Sequence, residues 1–539
     1  MKKMNGAKLL IRTLEENGVE YIFGVPGDIE NEFFKELSYS NIEFFNVMHE
    51  QSGAMMADVY SRLTGKIGVC FSTLGPGATN MLTGIANANQ DRSSVLAISG
   101  QLPLNEQYRD SHQYIDLVDL YKPVTKSSFM IYRAKDINSK VNNAIDLTQT
   151  EKKGPVHISL PIDVLSEEVK TFRTIKNTRK ISFDYTLQLR NLSELVNKSN
   201  SIVAIIGNGV VRTNNGQRLQ QFVEKLNIPF YTSFQSKGVI PHKHYLNCGV
   251  LSRHSEKIKE ILGKQDLIIT FGYDIIEGVT QNIWDGAKNV VHIDNDVPSG
   301  DYMTYNPDIE VVGDIGLIVD DYLKEFELKR ELPKITENLE SMKITTTPPD
   351  GFDDLFPLHP AKVMKDLREV LGDEDIVISD VGLHKQAIGL YYEVNKPNQV
   401  IFSNGLSTMG FAIPSTLAAK VVHPNKKIVG ICGDGGFQMN IQELATAVEN
   451  ELPIVYIIMN DSAYGMVKNK QLETTGVHYA AEFTRDRNFS EIANGFGALG
   501  FKIKQIEDLI PTLNEAFNSN KVCVIDIPIQ QYSDIKMMK

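Results

Sequence analysis

Cysteine is scarce in this chain of 539 residues, which has only four: Cys70, Cys248, Cys432 and Cys523. They lie far apart, no CxxC pair occurs, and each sits in or near an apolar run. A disulfide framework and a cysteine-based zinc site are thereby excluded, and buried free thiols in a reducing cytoplasm are expected. Basic residues are also in deficit, with 55 Lys and Arg against 67 Asp and Glu, a formal charge of −12. Nucleic acid and anionic membrane are therefore not expected as partners, since both need clustered positive charge. No apolar run reaches the ~18 residues of a transmembrane helix. The start, MKKMNGAKLLIRTLEENG, has the lysines of a secretory signal but not its apolar core. Its Ala7, Leu10, Ile11 and Leu14 share one face of a helix that Gly18 ends. What is present is ordinary for a globular chain, 42% hydrophobic and 23% charged. The length suits three or four domains.

Short, apolar, β-branched runs alternate with helical patterns. Strands are predicted at 67–73, 94–100, 156–161, 202–207, 266–272, 290–296, 376–380, 427–435, 454–461 and 522–528. Runs this apolar suit strands covered on both faces, so the fold class is α/β with mostly parallel, doubly wound sheets. Two stretches read as linkers: the charged segment 165–195, and 328–358 with its Pro-Pro and threonine run. Cutting there gives domains at about 1–165, 190–330 and 355–539.

The sharpest local signal is KIVGICGDGGFQMNIQELATAVENELPIVYIIMNDSAYGM at 427–466. A strand runs into Gly433-Asp434-Gly435-Gly436, a helix with Ile441, Leu444, Ala445 and Val448 on one face follows, and a second strand ends in Asn460-Asp461. Asp434 and Asp461 thus fall at the carboxyl ends of neighbouring parallel strands, the edge where open α/β sheets bind ligands. Glycines let the backbone approach a phosphate, and the helix start offers N–H donors. Two carboxylates beside phosphates suit Mg²⁺. The parts describe a metal–diphosphate site. A lone Gly-Asp-Gly turn would more often be a plain strand-to-helix connection; the second acidic strand end, 27 residues on, moves the balance. Gly207-Asn208-Gly209 after the strand at 202–207 is weaker, because Arg212 stands where a dinucleotide fingerprint has its third glycine, and a simple turn is expected.

Gly-Asp-Gly followed at this spacing by Asn or Asp resembles the signature of thiamine-diphosphate enzymes, and the resemblance extends over essentially the whole chain. It implies a pyrimidine-binding, a central and a diphosphate-binding domain, in that order. It further implies Mg²⁺ held by Asp434, Asp461 and the carbonyl of Ala463. Gly382, Gly433, Gly435, Gly436, Tyr464, Gly465 and Met466 would line the cofactor. The stretch 43–80 resembles the family's pyrimidine-binding domain and puts Glu50 on its one essential carboxylate. A carboxyl there protonates the aminopyrimidine, whose 4′-imine then takes the proton from thiazolium C2. Such a group is expected to be dry, with a raised pKa. Val25, Pro26 and Gly27 resemble the first loop against the pyrimidine, and Thr73, Gly77 and Asn80 belong to the second. Thr408 and Met409 fall in a loop like the one wedged under the cofactor, where a large apolar side chain enforces its bent shape.

Within the family the chain looks closest to the catabolic, FAD-independent acetolactate synthases, through Asp461, the segment 272–316 with the single Trp284, and Phe402-Ser403-Asn404-Gly405. That resemblance implies decarboxylation of pyruvate and transfer of the two-carbon unit to a second 2-oxo acid. The substrate side would include His112, Gln113 and Lys126. Leu406-Ser407 and Lys470 replace glutamines usual in the catabolic enzymes, and Val250–Ser255 does not match the flavin segment of the anabolic ones, so FAD is not expected. A homodimer or homotetramer is implied, with Glu50 and Asp434 of one site on different subunits. Other readings are another 2-oxo acid decarboxylase, an acetyltransferase, a pyruvate oxidase, or a non-catalytic subunit of the same fold.

Overall fold

The computed structural model describes residues 3–170, 184–251, 256–277, 286–296, 307–326, 339–344, 348, 350–485 and 487–531. Trp284, part of the first linker (171–183), part of the second (328–338, 345–347 and 349), and four residues of the flavin-segment comparison (252–255) lie outside the described residues.

Among the described residues, three six-stranded parallel sheets dominate. A short strand β1 (Lys3–Asn5) precedes the first sheet, which holds β2 (Tyr21–Gly24), β3 (Glu43–Asn46), β4 (Gly68–Ser72), β5 (Val95–Gln101), β6 (Ser127–Met130) and β7 (Val156–Pro161). Their order is β3-β2-β4-β5-β7-β6, and β8 (Glu168–Lys170) returns antiparallel onto β1. The central sheet takes β9 (Ile202–Ile206), β10 (Phe230–Thr232), β11 (Asn247–Val250), β12 (Leu267–Phe271), β13 (Val290–Asp294) and β14 (Ile309–Val312), in the order β11-β10-β9-β12-β13-β14. The third holds β15 (Ile376–Ser379), β16 (Val400–Phe402), β17 (Ile428–Gly433), β18 (Val455–Asn460), β19 (Leu499–Lys502) and β20 (Cys523–Pro528), in the order β16-β15-β17-β18-β20-β19.

The interior strands are buried along nearly their whole length, as their unbroken apolar runs require, and helices cover both faces of the sheets. The amino-terminal helix spans Gly6–Glu16 with Ala7, Leu10, Ile11 and Leu14 buried, and Gly18 follows it at φ 73°. One expectation needs correcting. The helix expected to carry Ile441, Leu444, Ala445 and Val448 begins only at Glu443 (Glu443–Glu449), after a separate helix Asp434–Met439, so Ile441 falls between two helices. Between them Asn440 leaves helical geometry (φ −134°) and donates its Nδ2 to the Gly410 carbonyl at 2.8 Å. A tertiary hydrogen bond there outweighs local propensity.

The first and third domains share a core. Helix Glu50–Thr64 lies between helix Pro76–Gln90 and helix Ala412–Val422, and one cluster joins Met55, Met56 and Ile85 to Phe411, Ile413 and Leu417. Each such fully buried apolar side chain contributes roughly 1.5–3 kcal/mol. Polar bonds fix the same junction. Arg62 pairs with Asp58 at 2.7 Å and Asp91 at 2.6 Å and donates to the Phe402 carbonyl at 2.7 Å. Asp91 accepts from the Gly405 amide at 2.8 Å. The loop after β16 is thus tied to the first domain. All four cysteines are free and buried. No helix among the described residues is long and apolar enough to cross a membrane.

Candidate active site

β17 and β18 are direct parallel neighbours, paired from Val429↔Val455 to Gly433↔Met459. That register carries Asp434 and Asp461 to one carboxyl edge. Asp434 opens its helix and accepts the Gly435 amide at 2.9 Å, and its side chain is 2% exposed. Burial pushes Asp434 up to about 7, and the Asp461 carboxylate pushes in the same direction. Burial likewise raises Asp461 to about 6. Both shifts express the cost of holding like charges together out of water, a cost that a divalent cation between them removes. Among the described residues no group of three or more metal-binding side chains occurs. A cation here therefore needs the two carboxylates, a backbone oxygen and ligand oxygens, which is the set Mg²⁺ favours. Ala463, buried just beyond Asp461, sits on an isolated bridge to Glu482.

The surroundings are shaped for close approach. A Cβ at Gly465 would stand 2.2 Å from Asp461 Oδ2, and one at Gly436 would stand 2.6 Å from Asp380 Oδ2. Asp380, at the end of β15, accepts the Gly410 amide with both oxygens at 2.9 Å and so holds the Thr408-Met409-Gly410 turn. Burial pushes Asp380 up to about 7. His384 was not foreseen. Its ring stands 2.8 Å from where a Gly382 Cβ would lie and 3.5 Å from that of Gly433. Its Nε2 is buried without a partner, as is Thr408 Oγ1. Burial holds the His384 imidazole neutral, down to about 3. Unpaired buried polar atoms beside a glycine-rich strand end fit a diphosphate, whose oxygens would meet them. Met409 is half-buried next to Thr408, and Tyr464 and Met466 flank Gly465, with Met466 partly exposed.

The second constellation lies at the carboxyl edge of the first sheet. His49 caps helix Glu50–Thr64 by accepting the Gln51 amide at 3.2 Å, which places Glu50 in the first turn. Asn80 Nδ2 donates to Glu50 Oε2 at 3.0 Å. A Cβ at Gly77 would meet Glu50 Oε1 at 3.1 Å and Thr73 Cγ2 at 3.0 Å, so Glu50, Thr73, Gly77 and Asn80 converge. Gly27 abuts Thr73, and Val25 and Pro26 follow β2 directly on the same edge. Glu50 is half-buried in the single chain.

Of the expected substrate residues, Gln113 joins this edge: at φ 59° its Cβ lies 2.9 Å from where a Gly75 Cβ would be. His112, next to it, is exposed. Lys126 does not join. It precedes β6, so it stands at the amino edge of the sheet, and its ammonium donates to the carbonyls of Thr150 (2.6 Å) and Lys152 (2.7 Å). The expectation carried a resemblance of the whole segment 111–127 over to each residue in it, whereas the direction of β6 sets Lys126 at the opposite edge from Gln113.

The central edge differs. The Asn208 amide in Gly207-Asn208-Gly209 donates to both oxygens of buried Glu277 at 3.0 Å. Glu277 also accepts the Asp274 amide at 3.0 Å and the Ser233 hydroxyl. Asp274 is paired with Arg92 at 2.8 Å and Lys152 at 3.4 Å from the first domain.

Three family models match: the amino-terminal domain of thiamine pyrophosphate enzymes over residues 4–120, the central domain over 189–322 and the carboxyl-terminal domain over 380–527. A probable acetolactate synthase large subunit of Methanococcus aeolicus is 32% identical, with 99% of this chain and 94% of the relative covered. The acetolactate synthase of Bacillus subtilis is 30% identical (99% and 94%), and isozyme 3 large subunit of Escherichia coli is 30% identical (98% and 95%). The chain belongs to the acetolactate-synthase-like family of thiamine-diphosphate-dependent enzymes.

Proposed function

We propose that this enzyme is a flavin-independent acetolactate synthase, which decarboxylates pyruvate and passes the two-carbon unit to a second 2-oxo acid. The observation that carries the reading is a pair of edges: one with adjacent Asp434 and Asp461 and the unpartnered atoms His384 Nε2 and Thr408 Oγ1, the other with Glu50 among Thr73, Gly77 and Asn80. Thiamine diphosphate, when bound, supplies the electron sink for decarboxylation. Asp434, Asp461 and the Ala463 carbonyl would hold Mg²⁺, and through it the diphosphate. His384 Nε2 and Thr408 Oγ1 would meet phosphate oxygens. Glu50 would hold a proton at the pyrimidine N1′, and Asn80 orients the carboxyl for it. Met409 would buttress the bent cofactor.

Glu50 is part-exposed in one chain, and a second copy over that face would dry it. The working unit is accordingly a homodimer or homotetramer with sites shared between subunits. Flavin independence is supported by Glu277, whose carboxylate already takes the Asn208 amide that a dinucleotide's phosphates would use. Four buried free thiols fit a reducing cytoplasm.

The test is to incubate the purified protein with pyruvate, thiamine diphosphate and Mg²⁺, record its visible spectrum and identify the products. A colourless protein making acetolactate is expected. Acetaldehyde or an acetyl ester alone would refute the carboligase assignment and leave the cofactor assignment standing. A flavin spectrum would refute flavin independence.

A further inference from the structure

Glu30 follows the Gly27 turn and precedes helix Asn31–Leu37, yet its side chain caps no helix amide. It turns inward and is 1% exposed. Thr73 donates its hydroxyl to Oε1 at 2.9 Å, while Oε2 is buried with no partner. The fit around it is tight. A Cβ at Gly27 would stand 2.2 Å from Oε2, and one at Gly100 would stand 1.9 Å from Oε1. Glycine at both positions is therefore a condition for this glutamate, and Glu30 sits wedged between the ends of β2, β4 and β5. Gly27 and Thr73 are residues of the pyrimidine-binding edge described above.

A carboxylate oxygen shut from water without a donor is costly, whereas the protonated acid is much less so. Asp28, in the same loop, deepens that preference; Glu32 and Asp163 line the shallow depression next to Glu30, and Glu32 is paired with Lys35 at 3.4 Å.

We propose that Glu30 is a positioning residue of this edge and acts as a neutral acid, anchoring Thr73 and backing the Gly27 turn against which the pyrimidine would lie. The proposal rests on the assignment of this edge to thiamine diphosphate. Burial pushes Glu30 up from 4.5 to about 7, and Asp28 adds to the rise. Because the folded value is the higher one, its stabilising contribution is complete below about 4.5 and is lost as pH rises through about 7. Ionised Glu30 has to draw in water or a donor, and Thr73 and the Gly27 turn shift with it.

The experiment compares wild type, Glu30→Gln and Glu30→Ala between about pH 6 and 8.5. It measures thiamine diphosphate affinity with Mg²⁺ by calorimetry and melting of the cofactor-free protein. Glutamine mimics the neutral acid, so E30Q is expected to match wild type at pH 6 and to hold its affinity above 7. Wild type should fall away from it by roughly tenfold per pH unit. Cofactor-free E30Q should melt progressively above wild type over the same range. E30A, which leaves a hole between Gly27 and Gly100, should bind more weakly at every pH. Titrations of the cofactor itself cancel between the variants. Identical pH dependence of wild type and E30Q in both measurements would overturn the proposal, and so would loss of binding by E30Q at pH 6. If wild type binds no thiamine diphosphate at any pH, the cofactor assignment of this edge falls, and the positioning role falls with it. The melting comparison then still shows whether Glu30 is held as a neutral acid.

Discussion

Numbered from one within each domain, the strands of the first and third sheets both run 2-1-3-4-6-5, while those of the central sheet run 3-2-1-4-5-6. The central order is the one usually associated with dinucleotides. Yet its ligand edge is filled from within, by Glu277 on the Asn208 amide and by Arg92 and Lys152 on Asp274. The outer sheets keep their edges ready: glycine where a ligand must approach, two buried carboxyls side by side, and polar atoms such as His384 Nε2 without partners. Topology places a ligand edge, and the side chains at that edge decide whether it receives anything. In the central domain the edge became a clasp to the first domain.

This contrast can be broken by substitution. The largest effect belongs to Glu50→Gln, which removes the acid partner of the pyrimidine and should slow turnover by about 10²–10⁴-fold, with the melting temperature unchanged. Steady-state kinetics on pyruvate checks it. Glu277→Ala should do the opposite. Left without an acceptor, the buried Asn208 and Asp274 amides and the Ser233 hydroxyl should cost on the order of 3 kcal/mol of stability in urea unfolding. Thiamine diphosphate affinity should stay as it was. If Glu277→Ala instead acquires FAD binding, the central edge is a plugged site rather than a clasp alone. His384→Ala should weaken thiamine diphosphate binding about tenfold in calorimetry, and the hole left by the buried ring should cost roughly 2 kcal/mol in urea unfolding. Lys126→Met is expected to have the smallest effect. It should cost about 1 kcal/mol through the Thr150 and Lys152 carbonyls, with the KM for pyruvate unaltered. A raised KM would return Lys126 to the substrate side.

Much of this was legible because it is written in short segments. All ten predicted strands exist, since interior parallel strands advertise themselves as unbroken apolar runs. Strands such as β3, β6 and β19 escaped notice because they lie at sheet edges, where half-exposed residues blur the pattern. Asp434 and Asp461 were readable from strand ends alone, and Glu50 through resemblance. His384 and Asp380 follow β15 at the same carboxyl edge, so strand direction could have pointed to them, but their roles depend on Gly433 and Gly410, which are distant in sequence. Glu30 was invisible for a related reason. A glutamate among Asp28 and Glu32 reads as solvated surface until Gly27, Thr73 and Gly100 are seen closing over it.

The most direct measurement of the division between outer and central domains is equilibrium binding by calorimetry. Wild type, Asp434→Ala and Glu277→Ala are each titrated with thiamine diphosphate plus Mg²⁺ and, separately, with FAD. The account predicts thiamine diphosphate binding by wild type and Glu277→Ala, loss of at least about 100-fold in Asp434→Ala, beyond the usual cost of an outer-shell partner, and no FAD binding by wild type. Unimpaired thiamine diphosphate binding by Asp434→Ala, or stoichiometric FAD binding by wild type, would contradict it.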